Sequence, residues 1–98
     1  MSAEPICLAE AGVADAIVES VRSVPGVAGL HGGAFGEVAT YLPGRRVTGV
    51  RLTPAGVEVH ILVFSSSAVV PTAEAVRRTV RALVPGQVDV TVQDLVGL

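Results

Sequence analysis

The 98-residue chain has no lysine and no tryptophan, a single cysteine, and only three aromatic residues. Each shortage excludes something. Cys7 alone cannot close an internal disulfide, and it reads as a small hydrophobe near the start of the fold. Zinc sites use closely spaced Cys and His pairs. Cys7, His31 and His60 lie far apart in sequence, so neither a metal site nor a cofactor is expected. With 50% of residues hydrophobic and 3% aromatic, the core has to be built from Val, Leu, Ile and Ala packed between a sheet and helices. Charged residues make up 16%, below the roughly 25% of an ordinary soluble domain, which leaves apolar surface for a partner to cover. The net charge of −2 argues against free-standing, non-specific nucleic-acid binding. All seven basic residues are arginine; beside this much Ala, Val and Gly, that points to GC-rich coding rather than to function. The strongest apolar run, Ile61 to Phe64, is far shorter than the ~20 residues that span a bilayer. Glu4 and Glu10, with no basic cluster, do not fit a secretory signal, so a cytoplasmic location is expected.

What is present is a pattern. The length suits one domain, residues 1–98. Val57 to Phe64 and Val88 to Gln93 alternate at the two-residue period of half-buried strands. Between them Ala73, Val76, Val80, Leu83 and Val84 repeat at the helical period, with Pro71 and Thr72 opening the helix and Pro85-Gly86 closing it. Glu74 and Arg78, four apart, are spaced for a weak ion pair. Near the start, Val13, Ile17, Val21 and Val24 form one stripe of a helix over about 10–23, widened by Ala14 and Val18. Ile6 and Leu8 suggest a brief edge strand before it, and Val27 to Leu30 a short strand after it. Thr53-Pro54-Ala55-Gly56 has tight-turn composition and joins a strand at about Val47–Leu52 to the next in an antiparallel hairpin. Residues 31–46 are ambiguous; Ala34 to Leu42 suggests a helical turn or two, with Phe35, Val38 and Leu42 on one side.

These elements predict a small α+β domain: two main helices on one face of a three- to four-stranded, largely antiparallel sheet, in the order α-β-β-α-β. Val57, Val59, Ile61, Val63, Val88, Val90 and Val92 should be buried beneath the helices. Glu58, His60, Leu62, Phe64, Asp89, Thr91 and Gln93 then lie on the other face, charged at one end and apolar at the other. Uncovered, that face is the candidate interaction surface; the alternative is that the termini or residues 31–46 fold over it. His60 is expected to partner Glu58 or a cross-strand carboxylate.

Several stretches resemble the alkaline shock protein family of bacterial general stress proteins. They are the helix running into Val24-Pro25-Gly26-Val27-Ala28-Gly29-Leu30, the Leu42-Pro43-Gly44-Arg45-Arg46 approach to Gly49-Val50, and the strand, helix and strand from Val57 to Val92. The similarity covers roughly residues 6–96 and rests on hydrophobic spacing and glycines. Ser65 departs from the aromatic-Gly pair common after the family's long strand, and the family's lysines are missing. The resemblance implies a non-enzymatic cytoplasmic protein of the cell-envelope stress response. Such a protein is often a homo-oligomer and is sometimes held at the membrane by an anchored protein partner.

Other motifs are weaker. Gly29 to Gly36 follows a strand but lacks the Lys-Ser/Thr of a phosphate loop. It contains Gly-x-x-Gly twice, the tetrapeptide that clamps backbone nucleotides in KH domains, so a KH-like nucleic-acid-binding module is the alternative function. The simpler reading is conformational. Arg45, Arg46 and Arg51 are candidates to converge with Arg77, Arg78 and Arg81 into a patch for an anionic partner; the simpler reading is solvated side chains beside acidic neighbours. Ser65 to Ser67 lack a nucleophile elbow. No catalytic constellation is visible, and the chain does not read as an enzyme.

Overall fold

Strict alternation along one strand organises the molecule. The computed structural model describes the backbone of residues 4–97 and the side chains of residues 12–97. Its elements are α1 (Glu4–Arg22), β1 (Val27–Leu30), β2 (Ala39–Leu42), β3 (Arg45–Thr48), β4 (Val50–Leu52), β5 (Gly56–Phe64), α2 (Val69–Arg81) and β6 (Gln87–Val96). In β5, Val57, Val59, Ile61 and Val63 are buried, and Glu58, His60, Leu62 and Phe64 are half-buried. A period of two can bury only one face of a pleated strand against helices, and this strand is central to the sheet.

Two short strands share one edge of β5, end to end. β4 pairs antiparallel with its first half, through Val50↔Val59 and Leu52↔Val57. β1 pairs antiparallel with its second half, through Leu30↔Ile61 and Val27↔Val63. His60 marks the join: its carbonyl accepts from His31 N–H at 2.9 Å, and its N–H donates to Gly49 O at 3.0 Å. β6 takes the whole of the other edge, parallel to β5. Parallel neighbours need a crossover, and α2 is that crossover. The fold is thus the expected α+β arrangement, largely antiparallel, with one parallel pair that alternation alone does not specify.

Both helices present apolar stripes to the same face. Ile17, Val21 and Val24 meet Val76 and Val80 in one cluster with Val50, Val57, Val59, Ile61, Val63 and Val88. Val90 and Val92 pack against it but remain partly exposed, because they lie on the edge strand. Leu83, expected in the stripe, is 42% exposed beyond the end of α2. That helix begins two residues before Pro71; Thr72 Oγ1 donates to Ala68 O at 2.6 Å within its first turn. Among the described residues, every member of the core cluster is aliphatic. Among the described residues, no helix is long and apolar enough to cross a membrane.

Three expectations need correction. Ile6 and Leu8 belong to α1, which starts at Glu4 rather than near residue 10. Residues 34–42 hold no helix: a turn at Gly33–Gly36, closed by Gly36 N–H to Gly33 O at 3.2 Å, leads into β2, and Pro43-Gly44 is the turn of a β2–β3 hairpin. The expected strand 47–52 is split at Gly49. There φ is +90°, and a Cβ would lie 2.6 Å from Leu30 Cβ, so only glycine lets the chain leave the hairpin and join β5. The hairpin is tied back by buried Thr40, whose Oγ1 donates to Val50 O at 2.6 Å.

Candidate interaction surface

Register across the sheet places the open face row by row. Arg51, Glu58 and Asp89 stand side by side, since Arg51↔Glu58 and Glu58↔Asp89 are direct pairs. Arg51 thus sits between the hairpin and an acidic pair. His60 and Thr91 form the next row. Leu62 follows, flanked by Gly29 and Asp94, then Phe64 beside Val96. The sequence-predicted surface residues Glu58, His60, Leu62, Phe64, Thr91 and Gln93 therefore share one side of one sheet. The principal contacts of the β2–β3 hairpin run to β4 and α1 rather than to β5 or β6. Among the described residues, both helices lie on the opposite face.

A bulge shapes the middle of the surface. Ile61 pairs with Val92 and Leu62 with Asp94, leaving Gln93 as an extra residue in β6. Its Oε1 lies 3.0 Å from His60 Nδ1, which suits a ring carrying its proton on Nδ1. His60 therefore bonds Gln93 and not the carboxylate expected from sequence. Bulges re-aim side chains and end regular pairing; this one adds a polar residue to the open side and swings Leu95 (49% exposed) onto the other.

The scarce aromatics are all kept out of the aliphatic core. Phe64 is on the open face, Phe35 is 92% exposed and Tyr41 68%. Phe35 sits in the turn whose geometry Glu37 maintains: Glu37 Oε2 accepts from Phe35 N–H at 3.0 Å, and His31 Nδ1 accepts from Gly33 N–H at 3.0 Å. Helical spacing predicts Phe35 on one side with Val38 and Leu42; Val38 is buried and Phe35 is not. The signal for its exposure was the flanking glycines. A shallow cleft of about 320 Å³ lies between Tyr41, Glu37 and Arg51, and Arg51 joins it to the open face.

The arginines fall in separate surroundings. Arg45 grips Asp15 of α1 with two hydrogen bonds, 3.1 and 2.7 Å. That hydrogen-bonded guanidinium holds the Asp15 carboxyl below the ordinary carboxylate range and raises the Arg45 value in turn. Arg46 stands opposite Tyr41 in the hairpin. Arg77 pairs with Glu74, three residues away; the expected Glu74–Arg78 pair does not form. Arg78 instead borders a cleft with Ser20 of α1 and Ser23 just beyond it, and Arg81 is exposed in the last turn of α2. Asp15 and Ser20 are roughly 140° apart around α1, so Arg45 and Arg78 approach that helix from different sides.

The two Gly-x-x-Gly tetrapeptides differ in kind. Gly29 to Gly32 is committed largely to β1 and its pairing with β5. Gly33 to Gly36 is the turn just described, with the Glu37 carboxylate on its backbone, where a nucleotide clamp would need a phosphate. Among the described residues there is no cluster of three or more His, Cys, Asp or Glu able to hold a metal ion. No known family model matches the chain, and neither a curated protein nor a solved structure matches it.

Proposed function

We propose that this chain is a non-enzymatic interaction protein, acting through self-association or docking onto a protein partner. The observation that carries the reading is the open side of the sheet, where Leu62 and Phe64 stand uncovered by either helix beside a polar rim of Glu58, His60, Thr91 and Gln93. An apolar centre with a polar margin is the usual anatomy of a protein contact, and aromatic residues held outside a core supply its anchors. The resemblance to alkaline shock proteins supports the same reading: a cytoplasmic, stress-associated protein, brought to a membrane by an anchored partner.

The test is a photo-reactive phenylalanine analogue in place of Phe64 in the full chain, activated in cells. The reading predicts a discrete cross-linked protein, abolished by Leu62→Asp and retained when the probe's neighbour is unchanged. No adduct above that given by the same probe at exposed Glu19 would overturn it.

A further inference from the structure

Among the described residues, no strand lies beside the outer edge of β6. Two hydrogen bonds fix which of its amides point outward. Gln87 N–H donates inward to Ala55 O at 3.0 Å, and Val96 O accepts inward from Ser65 N–H at 2.8 Å. Successive residues alternate direction in a strand, so the N–H and C=O groups of Val88, Val90 and Val92 face outward. The extra residue at Gln93 resets the alternation, which is why Val96 faces inward again. Proteins commonly blunt such an edge with lysine, proline or an early bulge. Between Gln87 and Val92 there is no proline and no basic residue, and the bulge comes only at Gln93.

We propose that this edge pairs with the same edge of a second copy, antiparallel, about a two-fold axis at Val90. The strand itself selects that register. With Val90 on the axis, Val90 faces its counterpart, Val88 faces Val92 of the second copy, and Val92 faces Val88. Each outward-facing residue from 88 to 92 then exchanges both backbone bonds with the residue opposite. An axis at Val92 runs the ladder into the bulge. An axis at Thr91 sets Asp89 against the Gln93–Asp94 step and crowds two carboxylates. An axis at Val88 carries the ladder into Gly86, in the turn after α2.

Side chains agree with the same register. On the helix side valine meets valine, covering Val90 and Val92, which are only partly buried in the single chain. On the open side Asp89 meets Thr91, and Gln87 meets Gln93, so no like charges stand directly opposite each other. A self-complementary patch is what a two-fold contact between identical chains requires. The two α2 helices then flank the axis. Ala75 and Thr79 turn toward α1, so Arg77 lies on the outer flank, where Glu74 of its own helix already pairs with it.

This contact uses the strand's edge and not its open face, so it can fail while docking through Leu62 and Phe64 stands, and the reverse. Sedimentation equilibrium of the full chain over a wide concentration range tests it. A monomer–dimer equilibrium is expected, weakened at least tenfold by Val90→Pro and unchanged by Leu62→Asp. Residue 90 donates away from β5, so proline there removes no bond of the existing sheet and suits an edge position; circular dichroism checks that the variant is folded. The register is read separately in a Cys7→Ser background. Oxidising a mixture of Asp89→Cys and Thr91→Cys chains should give a cross-linked dimer, and Thr91→Cys alone should give none. A chain that stays monomeric at the highest concentration, a dimer indifferent to Val90→Pro in its folded form, or ready cross-linking of Thr91→Cys to itself would each overturn the proposal.

Discussion

Single residues set where the chain may turn and what holds its outlying parts. The Asp15–Arg45 pair joins the hairpin to α1 across thirty positions of sequence, yet both side chains are about half exposed, and exposed pairs contribute little. Its signature is in the titration. The folded-state value of Asp15 is below the ordinary 3.8, so whatever the pair adds to stability is present above about pH 4 and lost as pH falls through the lowered folded value. Arg45→Ala should return the Asp15 carboxyl midpoint upward to the ordinary range, as read by NMR titration; an unchanged midpoint would show that the two groups do not interact in solution. Nothing in sequence announces this pair, because spacing along a chain cannot report a contact between a helix and a hairpin. Gly49 was visible as a glycine but not as a break: its role depends on Leu30, which the fold brings to within 2.6 Å of where a Cβ would stand.

At the scale of elements, period carried most of the information. The two-residue alternation of β5 and the stripes Ile17-Val21-Val24 and Val76-Val80 were legible because burial on one side is a local property of a strand or helix. The same alternation yields a direct contrast. Ile61 is fully buried and its neighbour Leu62 is half-buried on the other face. Ile61→Ala should cost about 2–5 kcal/mol, and Leu62→Ala about 1 kcal/mol, measured by denaturant unfolding; equal losses would mean that both faces are packed alike. Pairing direction was not legible, since a parallel and an antiparallel neighbour bury the same valines. Residues 31–46 misled for a related reason. Phe35, Val38 and Leu42 fall at helical spacing by chance, whereas the glycines around Phe35 and the Pro43-Gly44 step were turn signals that should have outweighed it.

The whole molecule has two layers: helices over one side of a sheet, and a second side that neither helix covers among the described residues. The predicted surface residues came together because six of them sit on just two adjacent strands, where parity alone decides the face. The arginines did not gather into one patch, since they are distributed over a hairpin, the sheet and α2, and only tertiary structure decides whether such elements converge. The aromatics Phe35 and Tyr41 were missed as surface features because hydrophobicity alone assigns them inward. The most direct test of the two-layer account is the relaxation of methyl groups by a soluble paramagnetic chelate, recorded on dilute protein. The account predicts strong broadening of Leu62 and none of Ile61 or Val59. Protection of Leu62 equal to that of Ile61 in the dilute chain would contradict it.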